Sequence, residues 1–267
     1  MSVIRLTESE LHRIIHNVLS EASLLSEGYS GKHFESQIRE IADDFWKFKD
    51  TQPGELVVQS KYPITISLKP FFNNGEVPEK YLQDKTYSIR LFFDKRLNAS
   101  NVDGSFKPDF MRYDGLSQIS IKIFLNTPYD SLYSALLHEV THLVDYLIKQ
   151  CKSINTHTYP INKMLNMKIP RNIAFILYAL WGHTEFNAWQ SSYKVGSDND
   201  DDYFNALMGA LKMANDNYDE KEWYMVRDYV AEVTSNQSLM NKSPMDFKNY
   251  FIKTSFKLIK KMVKKYQ

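Results

Sequence analysis

The residue types and spacing that could do chemistry are concentrated in Ser134-Ala-Leu-Leu-His138-Glu139-Val140-Thr141-His142-Leu-Val-Asp145-Tyr146, a stretch that contains His-Glu-x-x-His. On a helix, residues four apart stack on one face, so His138 and His142 can aim their ring nitrogens at one point. That supplies two ligands for a metal ion. Glu139, about a third of a turn further round, can hold a water there without being a ligand, the place of a general base. A helix is what the sequence predicts: Leu132, Ala135, Leu136, Leu143 and Leu147 form an apolar stripe, and Thr127-Pro128-Tyr129-Asp130 gives start signals, with Pro128 suited to the first turn. The bland alternative is a helix whose two histidines are satisfied by carboxylates. An apolar helix otherwise has little use for this motif.

A hydrolytic zinc site needs three protein ligands and one open position. Six residues past His142 stands Ile148, which binds no metal, so the third-histidine continuation of the metzincins is absent. Asp145 suits either a hydrogen-bond acceptor that orients His142 or one half of a surface ion pair. The attractive third ligand lies in Tyr178-Ala-Leu-Trp-Gly-His183-Thr-Glu185-Phe-Asn-Ala188-Trp. There Glu185 is a lone carboxylate among apolar and aromatic residues, and a metal would offset the cost of burying it. His183 is its rival, two residues away and on another side of the helix. Met164 and Met167 read as core filler, since thioethers suit softer ions than zinc. Cys151 reads as a buried small residue near the end of the motif helix.

These residues resemble the gluzincin class of zinc metallopeptidases, in which His-Glu-x-x-His on one helix is completed by a glutamate on a later one, often with a small residue three positions on. Glu185 with Ala188 fits that pattern, and the resemblance spans residues 60–195. It implies a zinc-dependent endopeptidase acting on a protein or peptide substrate, with His138, His142 and Glu185 as zinc ligands. Zinc would polarise the scissile carbonyl while Glu139 moves a proton from the attacking water to the leaving amine. It also implies a hydrogen-bond donor for the oxyanion, for which Tyr178, Tyr193, His183 and His157 are candidates. Tyr178 is favoured, seven residues before Glu185 on one helix face. In this class an upstream sheet edge binds substrate by strand addition. The main alternative is a non-catalytic virion or interaction protein that retains the metallopeptidase fold.

Period-two alternation predicts the elements that must position these groups. Strands are expected at Tyr62, Ile64, Ile66, Leu68; at Tyr87, Ile89, Leu91, Phe93; and at Ile119, Ile121, Ile123, Leu125. The segments Asn73-Asn74-Gly75 and Asn101-Val-Asp-Gly104 read as hairpins or surface loops, with a further short strand around 106–113. Phe34, Ile38, Ile41, Phe45 and Phe48 predict a core-facing helix ahead of the sheet. After the motif the chain reads as almost wholly helical: a short Met-rich helix over 161–169, a long one over 170–194, then 202–214, 219–235 and 244–265. Asp198–Asp202 lacks the glycine and closing glutamate of a calcium loop and reads as the acidic start of a helix. The expected fold class is α+β, a small sheet packed on the motif helix followed by a mostly helical C-terminal half.

At 267 residues, 43 % of them hydrophobic, the chain can bury a sizeable core. Thirty-three basic against thirty-two acidic side chains argue against nucleic acid or an anionic membrane as a general partner, and one cysteine excludes an internal disulfide. With no secretory signal and no membrane-length apolar run, the cytoplasm is the expected location. Residues 1–30 read as an amphipathic helix plus linker, appended to a metallopeptidase-like domain over 31–267. Thr7 and Glu10 make a capping box there, and Leu11, Ile14, Ile15, Val18 and Leu19 make a stripe that needs a docking partner. That opening helix resembles one found on bacteriophage and mobile-element proteins, which implies virion association. The lysine-rich helix over 244–265 reads as a solvated face on a terminal core helix, or alternatively as a basic surface for membrane or nucleic acid.

Overall fold

Four strands, β1 (Val57–Ile66), β2 (Lys85–Asp94), β3 (Val102–Phe106) and β4 (Ile119–Phe124), form one mixed sheet in the order β1-β2-β4-β3. The computed structural model describes residues 32–71, 83–99, 101–107, 119–152, 159–192 and 199–264. β2 and β4 run parallel, and the two outer strands pair antiparallel to their neighbours. The alternating residues Ile64, Ile66, Ile89, Leu91, Ile119, Ile121 and Ile123 are buried. Each such side chain contributes about 1.5–3 kcal/mol by leaving water.

Those residues share a core with two helices, α1 (Glu35–Phe48) and α2 (Tyr129–Lys152). α1 contributes Ile38, Ile41, Ala42 and Phe45, and α2 contributes the stripe Leu132, Leu136, Val140, Leu143 and Leu147. Polar contacts fix α2 against α1: the Tyr133 hydroxyl donates to Glu35 at 3.0 Å, and the Tyr129 hydroxyl donates to Asp43. Burial, with the Glu35 carboxylate, pushes the Tyr133 phenol up to about 12, so it stays a donor. Thr127 does not cap α2. Its hydroxyl instead donates to the Asn101 carbonyl and accepts from the Phe124 amide, tying the start of β3 to the end of β4.

The two outer strands are finished differently. β1 carries Pro63, which has no N–H to offer and sits opposite Ser88. At Thr65 of β1, the Gln37 side chain both donates to the carbonyl and accepts from the amide, at 3.0 Å each. β3 has no such cover among the described residues.

The second half is helical: α3 (Ile161–Asn166), α4 (Arg171–Ile176), α5 (His183–Ser192), α6 (Asn199–Asp216), α7 (Glu220–Thr234) and α8 (Pro244–Lys264). They enclose a second core containing Trp223, Leu177, Phe247 and Phe251. α7 begins with a capping box formed by Asp219 and Glu222. The apolar side of α8 (Phe247, Phe251, Ile259, Met262) is buried in this core, and its lysines 253, 257, 260 and 261 are exposed. The fold is thus α+β, as the alternation and helical periods predict. No helix among the described residues is long and apolar enough to cross a membrane.

Two expectations need correction. The segment read as a loop at Asn101-Val-Asp-Gly104 is mostly strand, because Val102–Phe106 pairs with Ile119–Ile123. Of the further short strand expected around 106–113, Phe106 closes β3 and 108–113 lie outside the described residues. The long helix expected over 170–194 is broken: α4 passes into a π-helical turn, Leu177–Trp181, and Gly182 adopts an extended conformation before α5 begins. A Cβ at Gly182 would stand 2.7 Å from the Tyr178 carbonyl oxygen, so the break requires glycine. The predicted N-terminal helix and the turn at Asn73-Asn74-Gly75 lie outside the described residues.

Candidate metal centre

α2 and α5 pack side by side and carry the site between them. The Asn187 side chain of α5 donates to the Asp145 carboxylate of α2 at 3.1 Å, and the Ser134 hydroxyl donates to the Ser192 carbonyl at 3.3 Å. Among the described residues Asp145 therefore neither forms a surface ion pair nor accepts from His142. It holds the two helices together.

His138, His142 and Glu185 each offer one ligand atom within 4.8 Å of the others. The two Nε2 atoms are 3.1 Å apart, and each faces a different Glu185 oxygen, His142 at 3.4 Å and His138 at 3.6 Å. A tetrahedral ion with ligand bonds of about 2.1 Å needs donors about 3.4 Å apart. The three separations bracket that value, so the donor set fits one zinc-sized ion. Two imidazoles and a carboxylate are also the ligand types of catalytic zinc. The three side chains are 12–17 % exposed, which leaves a narrow approach.

Burial is the main electrostatic influence. It pushes the His142 imidazole down to about 4, with His138 adding to the effect, so the ring is neutral and its lone pair free at physiological pH. Burial also acts to raise Glu185, but the facing His138 and His142 rings and the nearby Tyr178 hydroxyl together outweigh it and hold the carboxyl below the usual range. Glu139 goes the other way. Burial pushes it up to about 7, helped by the Glu185 charge and opposed by His138.

Glu139 lies beneath β3, where Gly104 makes room for it: a Cβ there would stand 2.6 Å from the carboxylate oxygen Oε1. A glycine inside a strand often marks such a close approach. Gly104→Ala is therefore expected to push this carboxylate aside and, where Glu139 serves as a general base, to cut turnover about a hundredfold. Circular dichroism and melting should show the fold unchanged. A variant as active as wild type would mean that Glu139 needs no such space.

The π-helical turn and the break at Gly182 bring Tyr178 back to the first turn of α5, where its hydroxyl lies near the Glu185 carboxylate. The two are therefore not on one continuous helix face as expected, yet they meet. Trp181 anchors the turn to α8, stacked on Phe251 at 5.1 Å with its indole N–H donating to Ser255 at 2.9 Å. Of the other candidates, His157 and Tyr193 lie outside the described residues, as does the His183 side chain.

Sequence reasoning missed three groups at the site: Gly104, Trp189 and Tyr203. The Trp189 ring meets His138 edge-on at 4.8 Å and stacks on Tyr203 of α6 at 3.8 Å. Only Gly104 carried a usable signal, as a glycine that interrupts an otherwise strand-compatible run. No family model, curated protein or solved structure matches this chain.

Proposed function

We propose that this protein is a zinc-dependent endopeptidase. The observation that carries this reading is the convergence of His138, His142 and Glu185 at tetrahedral donor spacing, with the Glu139 carboxylate buried beside them. When bound, the ion supplies Lewis acidity, which polarises a peptide carbonyl and makes a water more acidic.

The chain's own residues do the rest. Glu139, buried beside the ligands, accepts a proton from the attacking water and returns one to the nitrogen of the departing amine as the C–N bond breaks. Asn187 and Asp145 hold the helix of the histidines at a fixed distance from that of Glu185. β3 offers an extended substrate its outer edge, since β1 is closed by Pro63 and Gln37 and β3 passes directly over Glu139.

Purified full-length protein is expected to take up one zinc per chain and to hydrolyse an unstructured protein such as casein. Glu185→Ala should weaken zinc binding by more than about a hundredfold, beyond the range typical for residues that merely orient a ligand. Wild-type zinc affinity in that variant would overturn this ligand set. A protein that keeps its zinc and cleaves nothing would favour the non-catalytic interaction protein.

A further inference from the structure

A cavity of about 570 Å³ lies between α3, α4 and α6, lined by residues that take no part in the metal centre. Its volume falls in the range of small-molecule sites, about 300–1,000 Å³. The α6 wall is a single helix face, Ala206, Gly209, Ala210 and Met213, and the facing wall brings Leu165 and Phe175. That is a surface for hydrocarbon. Leu165 and Met213 are exposed there, although both are large and apolar.

At Gly209, α6 leaves this space open. Glycine inside a helix costs stability relative to alanine, and nothing in the described protein demands it here: a Cβ at Gly209 would meet no atom within 4 Å. The volume that a side chain would take is left to the cavity.

Two polar residues share the wall. The Asn172 side chain is engaged, donating to the Tyr218 hydroxyl at 3.2 Å. Arg171 is exposed and forms no salt bridge among the described residues. No aspartate or glutamate occurs between Pro160 and Glu185, so the segment that builds α3 and α4 carries Lys163, Lys168 and Arg171 with no acid of its own. A guanidinium presents paired N–H donors that match a carboxylate. An apolar cavity with such a group on its wall suits an alkyl chain that ends in a carboxylate.

We propose that this cavity binds a medium-chain aliphatic carboxylate, its chain against the α6 face and its carboxylate paired with Arg171. From Ala206 to Met213 that face runs about 10 Å along the helix axis, which sets the scale of the chain. The site includes none of the metal ligands, and the proposal does not rest on the metallopeptidase reading.

The test is isothermal titration of the full-length protein with decanoate and with decyltrimethylammonium, which has the same chain and the opposite charge, both below micelle formation. One decanoate per chain is expected, bound about tenfold or more tightly than the cation. Arg171→Gln should weaken decanoate about tenfold, the effect of losing a hydrogen bond to a charged group, and leave decyltrimethylammonium unchanged or tighter. Gly209→Phe fills the cavity and should weaken decanoate about tenfold or more while melting no lower than wild type, because a glycine inside a helix has been replaced. Absence of saturable decanoate binding, equal binding of the two amphiphiles, or undiminished binding in Gly209→Phe would overturn the proposal. So would an Arg171→Gln protein that binds decanoate like wild type.

Discussion

Glu139→Gln is expected to leave zinc uptake close to wild type and to cut peptide hydrolysis by about 10²–10⁴-fold. Glutamine has the same shape, so it keeps its place under Gly104 and does not disturb the two histidines. It cannot accept a proton. Burial raises the Glu139 carboxyl to about 7 in the metal-free site, and a bound divalent cation would pull it back down. The measurement is zinc content beside initial rates on casein for both proteins. A Glu139→Gln protein working within tenfold of wild type would show that another group is the base.

The second large effect concerns stability. Burial pushes the Asp145 carboxyl from an ordinary 3.8 up to about 7, the Asn187 hydrogen bond opposing it only in part. Below pH about 4 the group is protonated in both folded and unfolded chains and costs nothing. Between about 4 and 7 the unfolded chain releases its proton while the folded protein retains it, so stability falls as pH rises and the loss is complete above about 7. A difference of about three pH units corresponds to an upper limit of about 4 kcal/mol. Glu139 acts in the same direction, and His142, with its lowered value, acts in the opposite one. Comparison with Asp145→Asn isolates the Asp145 contribution, because asparagine can still accept from Asn187. Metal-free Asp145→Asn should therefore match wild type near pH 4 and be several kcal/mol more stable at pH 8, read from denaturant unfolding. Parallel pH profiles for the two proteins would mean that Asp145 titrates normally.

What the sequence made legible follows from how local each signal is. The His138–His142 pair lies one turn apart on a helix whose apolar stripe is strictly periodic, so helix and motif support each other. Glu185 was readable because a single carboxylate in an apolar run needs a partner. β3 was not, since Asp103 and Gly104 have poor strand propensity and turn-like character. Pairing with β4 and the space that Glu139 occupies override both. The break at Gly182 was hidden for a similar reason: glycine within a helical period is tolerated, and what enforces the break is the Tyr178 carbonyl and the stacking of Trp181 on Phe251, about seventy residues away. Tyr203 reaches the site only through the packing of α6 onto Trp189, a relation that no spacing in the chain encodes.

The unequal finish of the two sheet edges has a consequence for crowded solutions. One rim is closed by a proline ring and a side-chain amide, so among the described residues the open rim of the sheet is that of β3, over the Glu139 carboxylate. Two molecules that dimerised strand to strand there would each cover the other's Glu139 and the metal ligands beside it, and on the proposed reading hydrolysis per molecule would decline as the protein was concentrated.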